Sequence, residues 1–149
     1  MTAALQKRKV ARRSTGTRRT SLAGERVLAV DDDFDGREML AALLEDAGAE
    51  VRTAASGAEA LLAMRVWRPT MIVSDISMRG KNGYELIRAI RALPGGDRIP
   101  AAAFTSHSRP EDRLRALAAG FQAHIPKPVA ADELLAVLAR LARSARDAR

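Results

Sequence analysis

The sequence has no cysteine, few aromatic residues and no long apolar run. Of its 149 residues, none is Cys and only 3% are Phe, Trp or Tyr. The absence of Cys excludes a disulfide framework, thiolate zinc sites and a cysteine nucleophile. Because no stretch of about 18 consecutive apolar residues occurs, we expect no transmembrane helix. The length suits one domain with a sizeable core, and carboxylates, hydroxyls, Lys, Arg and two His remain for chemistry.

The net charge of +7 is concentrated at the N-terminus. Residues 1–24 contain no acidic residue. They contain seven of the 25 basic residues: Lys7, Arg8, Lys9, Arg12, Arg13, Arg18 and Arg19. The other 18 basic residues balance 18 acidic ones, so the rest of the chain is neutral. Leu22 is one of a few scattered apolar residues in this segment. We therefore expect residues 1–24 to form a disordered basic tail, with the folded domain starting near Glu25.

Three interpretations of residues 1–24 stay open. The first is a passive, solvated extension. The second is weak contact with nucleic acid or an anionic lipid surface, without sequence specificity. The third is organellar targeting, since the segment is rich in Arg and hydroxyl residues and free of acid, whereas a secretory signal is excluded because no apolar core follows.

From residue 26 onward, short apolar runs alternate five times with segments of helical periodicity. The strand-type runs lie at 27–30, 51–54, 71–73, 99–104 and 121–125. Continuous apolar strands that are each followed by a helix indicate a parallel sheet covered on both faces. Right-handed crossovers make this a doubly wound α/β sandwich of five strands and five helices, a flavodoxin-like architecture. We place this domain at residues 25–143, followed by a short extension, 144–149.

Polar residues follow four of the five apolar runs. The first run is followed by Asp31, Asp32 and Asp33, the third by Asp75, the fourth by Thr105 and the fifth by Lys127. In parallel sheets, ligands bind beyond the carboxyl ends of the strands, so these groups are expected to converge if the strands are neighbours. Carboxylates suit Mg²⁺, a Lys and a hydroxyl suit phosphoryl oxygens, and a free Asp is the nucleophile of aspartyl-phosphate chemistry.

Turn residues and helix caps are the simpler explanation for a single Asp at a single strand end. Complementary groups at four strand ends are poorly explained in this way. Their arrangement resembles the receiver domain of two-component response regulators, over residues 25 to about 143. The residues that carry the resemblance are the acid pair Asp31-Asp32, Asp75 within Ile72 to Met78, Gly83, Thr105, and Lys127-Pro128.

The resemblance implies a role for each of these residues. Asp75 is the phosphoacceptor, which takes a phosphoryl group from a phosphohistidine of a histidine kinase or histidine phosphotransferase. Mg²⁺ is held by Asp31, Asp32, Asp75 and the backbone carbonyl of Ser77. Lys127 binds a phosphoryl oxygen, and its bond to Pro128 is cis. Such a domain is not an enzyme, because it assists only its own phosphorylation and dephosphorylation.

The resemblance also implies a switch. Thr105 is the hydroxyl that moves toward the phosphoryl group, and His124 stands where the family has a switching aromatic residue on the fifth strand. The alternative for His124 is a partly buried residue without a switching role. The downstream protein target would bind the face formed by helix four, strand five and helix five. Ser77 and His107 occupy the positions that tune the lifetime of the acyl phosphate.

One loop departs from the family pattern. Where receivers usually have Pro after the Met of the loop that follows strand three, this chain has Met78-Arg79-Gly80. We expect Arg79 to loosen this loop and to add a cation near the site, with the chemistry unchanged.

Several functional readings compete at the level of the whole chain. The leading one is a cytoplasmic, stand-alone phosphorylation-controlled module. The alternatives are a receiver from a hybrid histidine kinase, and a nucleic-acid-associated regulator that uses residues 1–24, although no helix-turn-helix segment follows the domain. A Mg²⁺-dependent phosphatase of similar topology would need a second acid where Ser77 stands.

Overall fold

The computed structural model describes residues 20–148, which form one parallel sheet with helices on both faces. The strands are β1 (Arg26–Val30), β2 (Glu50–Ala54), β3 (Met71–Ser74), β4 (Ala101–Thr105) and β5 (Ala123–Pro126). The helices are α1 (Phe34–Asp46), α2 (Gly57–Val66), α3 (Gly83–Arg91), α4 (Pro110–Ala119) and α5 (Ala131–Asp147). The strand order is β2-β1-β3-β4-β5, and every neighbouring pair is parallel. The predicted fold class is confirmed.

Polar capping residues set the starts of the first three helices. Asp33 caps α1, Ser56 caps α2 and Asn82 caps α3, and each side chain accepts a hydrogen bond from the backbone N–H three residues on. Such a cap satisfies one of the backbone donors that a helix start leaves free. Two of these caps, Asp33 and Asn82, lie in the loops that leave β1 and β3, where they help to fix the path of the chain beyond the sheet.

The sheet separates two apolar layers. Along β1, Leu28 and Val30 are buried against α2, α3 and α4, whereas Val27 and Ala29 are buried against α1 and α5. All four side chains are fully buried. This burial on both faces explains why β1 is a continuous apolar run that lacks a polar alternation.

The ordered domain differs from the expected boundaries at both ends. Leu22 is 1% exposed and packs in the α1/α5 layer, and its N–H donates to the Ala47 carbonyl at 2.8 Å. The expectation that residues 1–24 form a disordered tail is therefore wrong for Leu22, because a single apolar side chain can be buried without any periodic pattern. At the other end, α5 continues past Arg143 to Asp147. Residues 1–19, with all seven basic residues of the tail, lie outside the described residues.

In residues 20–148, the structure contains no helix whose length and apolar character would let it cross a membrane.

Candidate functional site

The strand order brings four strand ends together at one edge of the sheet. Strands β1, β3, β4 and β5 are consecutive neighbours, as the sequence interpretation required. Asp31 follows β1, Asp75 follows β3, and Lys127 follows β5, while Thr105 is the last residue of β4. The bond between Lys127 and Pro128 is cis, as expected.

Lys127 links two of the predicted carboxylates. Its Nζ lies 3.1 Å from Oδ2 of Asp31 and 3.4 Å from Oδ2 of Asp75. The side chains of Asp31 and Asp75 are 6% and 14% exposed, and that of Lys127 is 29% exposed. Two nearly buried carboxylates therefore share one ammonium group, which leaves a local excess of negative charge.

The charge state of Lys127 follows from this arrangement. Burial lowers the pKa of its ammonium group, but the nearby carboxylates of Asp75 and Asp31 outweigh that effect. The pKa of Lys127 is raised as a result. The amine thus stays protonated at neutral pH, as a fixed cation beside both carboxylates.

The Asp75 carboxylate has one oxygen fixed by the backbone and one directed toward Lys127. Oδ1 accepts hydrogen bonds from the N–H groups of Ile76, at 2.7 Å, and Ser77, at 3.3 Å. The start of α3 lies directly against this segment. A Cβ atom at Gly83 would be 2.5 Å from the Asp75 carbonyl oxygen, so only glycine fits there without a shift of the backbone. This close approach explains why Gly83 belongs to the sequence motif.

The three consecutive acids after β1 have different surroundings. Oδ1 of Asp31 accepts the N–H of Asp33 at 3.0 Å, and the Asp31 carbonyl accepts from Arg37 at 2.9 Å. The Asp33 carboxylate caps α1 through the N–H of Gly36 at 2.8 Å. Asp33 therefore has a structural role as the cap of α1.

Asp32 is held by a different cation. Its Oδ2 accepts the backbone N–H of Arg79 at 3.0 Å and lies 3.6 Å from the Arg79 Nε. Within residues 20–148, no three His, Asp or Glu side chains form a cluster arranged to hold a metal ion. Asp31 and Asp75 are brought together at Lys127, whereas Asp32 faces the loop between β3 and α3.

The predicted switch residues are joined by a chain of hydrogen bonds. Thr105 is fully buried, and its Oγ1 accepts the N–H of His107 at 3.2 Å. Nε2 of His124 lies 2.7 Å from the His107 carbonyl. Because a carbonyl only accepts hydrogen bonds, Nε2 carries the proton in this contact. His107 and Ser77 are exposed, and His124 is partly buried.

Two contacts of the site were missed by reasoning from the sequence. Arg79 was expected to add a cation, but its partner, Asp32, is 47 residues away and no spacing indicates the pairing. Arg37 was not singled out, although it lies one helical turn after Asp33 and could have been recognised as a cation near the acids.

Comparison with known proteins decides the family. Residues 27–139 match the family described as response regulator receiver domain. The chain belongs to the receiver domain family. This membership agrees with a role in two-component signalling.

Two curated proteins are similar in sequence to this chain over most of its length. The chain is 44% identical over 115 residues to an uncharacterized 14.6 kDa protein of Leptolyngbya boryana, covering 77% of this chain and 88% of that protein. It is 37% identical over 124 residues to the transcriptional regulatory protein PrrA of Mycobacterium tuberculosis, covering 83% of this chain. The matched region spans about half of the PrrA sequence, 52% of its length.

Two solved structures share the fold. The chemotaxis response regulator CheY4 of Vibrio cholerae is 36% identical, with a TM-score of 0.74, over 78% of this chain and 98% of that chain. The receiver domain of sensor histidine kinase PA1611 from Pseudomonas aeruginosa is 30% identical, with a TM-score of 0.75, over 81% and 99%. The PA1611 structure has a magnesium ion coordinated in its active-site cleft.

Proposed function

We propose that this receiver accepts a phosphoryl group on Asp75 from a partner phosphohistidine and thereby changes its binding to a downstream protein. The main support is the Asp75 carboxylate itself, which has Oδ1 fixed by two backbone N–H groups and Oδ2 directed at the Lys127 ammonium. Its side chain keeps 14% exposure at the sheet edge, so a phosphodonor has a route of approach. In this proposal the receiver is a signalling phosphoacceptor that assists only its own phosphorylation and dephosphorylation.

The chemistry is a phosphoryl transfer from nitrogen to oxygen. A carboxylate oxygen of Asp75 forms the new O–P bond while the P–N bond to the histidine of the kinase or phosphotransferase breaks, and the imidazole leaves. An ionised carboxylate needs no general base to act as the nucleophile. Lys127 is placed to offset the charge of the incoming phosphoryl oxygens, since its Nζ already lies 3.4 Å from Asp75.

The donor set at this edge fits Mg²⁺ in its chemistry. Asp31, Asp32, Asp75 and the carbonyl of Ser77 offer only oxygen donors, and each of the three carboxylates already contacts a cationic residue, Lys127 or Arg79. We propose that these four residues hold the ion, in line with the magnesium in the similar PA1611 receiver. Mg²⁺ supplies positive charge that reduces repulsion between carboxylate and phosphoryl oxygens.

The decisive test is labelling by a small phosphodonor. The full chain is incubated with Mg²⁺ and acetyl phosphate, and the intact mass is measured for wild type, Asp75→Asn and Asp33→Asn. The Asp33 variant removes the same charge from the same edge and keeps a good helix cap, because Asn caps as well as Asp. Wild type and Asp33→Asn should gain one alkali-labile phosphoryl group, and Asp75→Asn should gain none. Equal labelling of wild type and Asp75→Asn would refute the assignment.

We also propose that Thr105 and His124 report phosphorylation to the face formed by α4, β5 and α5. The support is the hydrogen-bonded connection from Thr105 through His107 to His124. Movement of Thr105 toward the phosphoryl group would disturb this connection and shift the NMR signals of the His124 ring. Unchanged His124 signals on phosphorylation would contradict this role.

Ser77 and His107, both exposed beside the site, are proposed to tune the lifetime of the phosphorylated state by controlling the access of water. His107→Ala should change the half-life of the acyl phosphate, and an unchanged half-life would remove His107 from this role.

The wider context is also a proposal. We place the receiver in the cytoplasm, as a stand-alone module or as the receiver of a hybrid kinase, the latter suggested by its likeness to PA1611. Nucleic-acid contact through residues 1–24 is the further alternative. Since Leu22 is buried, the clean test deletes only residues 1–19 and measures DNA retention at low and moderate salt. Phosphate contacts would make retention strongly salt-dependent and would be lost on deletion.

A further inference from the structure

Arg79 contacts Asp32 through two groups of different exposure. Its backbone N–H donates to Oδ2 of Asp32 at 3.0 Å, and its Nε lies 3.6 Å from the same oxygen. The Arg79 side chain is 90% exposed, whereas that of Asp32 is 24% exposed. Solvent weakens the guanidinium contact, so the backbone hydrogen bond is the stronger part of the interaction.

The guanidinium part of the contact requires Arg at position 79, whereas the backbone part requires only a residue other than proline. Proline lacks a backbone N–H and has no charge, so at this position it could make neither contact. In this chain the loop between β3 and α3 is therefore tied to one of the two acids that follow β1.

We propose that Arg79 is a positioning residue that competes with Mg²⁺ for Asp32, so that binding of the ion and release of the loop are coupled. The inference rests on the proposed magnesium site. A contact that is made only in the metal-free state stabilises that state relative to the metal-bound one. The apparent affinity for the metal falls by the factor that corresponds to this stabilisation. Removal of the contact should therefore tighten Mg²⁺ binding.

The structure confines the released segment to a few residues. On the far side of the loop, the Lys81 side chain packs over Gly57 at the start of α2, where an added Cβ atom would lie 3.1 Å from Lys81. Asn82 then forms a reciprocal capping box with Glu85 at the start of α3. Gly80, which lies between Arg79 and Lys81, has a positive φ of 75° and open space around it. Arg79 can leave Asp32 without disturbing α3.

The test is Mg²⁺ binding to the full chain by titration calorimetry, with no phosphodonor present. Arg79→Ala keeps the N–H and removes the guanidinium, and Arg79→Pro removes both. Arg140→Ala, on the exposed side of α5, is the control for an equal change in charge. We expect Arg79→Ala to bind about two- to fivefold more tightly than wild type, with the difference shrinking as KCl is added.

For Arg79→Pro we expect a further gain of about two- to tenfold that persists at high salt, because it reflects a lost hydrogen bond. Arg140→Ala should match wild type. Equal affinities of wild type and both Arg79 variants would overturn the inference and leave the magnesium site intact. An absence of Mg²⁺ binding by every variant would overturn the magnesium site, and the inference with it.

A second measurement does not depend on a substitution. The exchange of the Arg79 amide hydrogen with solvent, followed by NMR in the wild-type chain, should be slowed without Mg²⁺ and should become faster when the ion binds. Exchange that is unaffected or slowed by Mg²⁺ would show that the loop is not released and would overturn the coupling.

Discussion

The two ends of the parallel sheet both hold buried carboxylates, but the cations are distributed differently. At the amino end, Glu25 accepts a hydrogen bond from the Thr70 hydroxyl at 2.7 Å on one oxygen and from Arg146 at 2.8 Å on the other. At the carboxyl end, Asp31 and Asp75 share the single ammonium of Lys127. At the amino end, each oxygen of the Glu25 carboxylate has its own donor. At the carboxyl end, the two carboxylates of Asp31 and Asp75 share one ammonium group.

In the proposed function, this difference separates a structural carboxylate, Glu25, from a reactive one, Asp75. The Glu25 oxygens are occupied, so this acid fixes the last turn of α5 against the starts of β1 and β3. The carboxyl end retains negative charge that a metal ion can neutralise, and its Asp75 carboxylate shares the Lys127 ammonium with Asp31. The proposed function draws on this excess of carboxylate over ammonium at Asp31, Asp75 and Lys127, which the amino end lacks.

The largest effect is expected from removal of the shared cation. Lys127→Met leaves two nearly buried carboxylates without a cation in contact, and should lower the free energy of unfolding in Mg²⁺-free buffer by about 1–3 kcal/mol. Arg146→Met is the matched change at the amino end. Because the Arg146 side chain is 55% exposed, its loss should cost under about 1 kcal/mol. Urea unfolding measures both, and a larger loss for Arg146→Met would contradict the comparison.

An intermediate effect is expected at the amino end. Thr70→Val removes a hydroxyl that donates to Glu25 and accepts the Arg26 N–H at 2.8 Å. The loss of both contacts should lower the free energy of unfolding by about 1–2 kcal/mol. Labelling by acetyl phosphate should proceed at the wild-type rate, because the site lies at the opposite end. A changed rate would show that the two ends are coupled and are not independent.

The smallest effect concerns alkaline pH. The pKa of Lys127 is raised above its ordinary value of 10.5, so its contribution to stability is complete below that pH and is lost as the pH rises through the folded-state value. The difference in unfolding free energy between wild type and Lys127→Met should stay constant from about pH 7 to pH 10 and shrink above 10.5. A difference that grows with alkaline pH would contradict the shared-cation arrangement.

Sequence reasoning placed the strand ends well because buried parallel strands are continuous apolar runs. Asp31 and Asp75 were expected directly after their strands, and they lie there. The prediction for the fourth strand was less accurate, because the apolar run covers 99–104 whereas β4 spans Ala101–Thr105. Residues 96–98 form a short 3-10 helix, and the strand starts after Pro100.

Two contacts between distant residues could not be predicted from any periodic pattern in the sequence. Arg79 and Asp32 are 47 residues apart, and Arg146 and Glu25 are 121 residues apart. Each pairing depends on where a loop or a helix end comes to rest after the sheet has formed. The burial of Leu22 is of the same kind, because its backbone partner, Ala47, directly follows α1, 25 residues further along the chain.

The most direct test of the central claim locates the phosphoryl group within the chain. The wild-type protein is phosphorylated with acetyl phosphate and Mg²⁺, reduced with borohydride to convert an aspartyl phosphate to homoserine, and digested for peptide mass mapping. The arrangement of charges at the carboxyl end predicts homoserine at position 75, with Asp31, Asp32 and Asp33 unchanged. Homoserine at another acid, or none at position 75 in a protein that carries the label, would contradict the account.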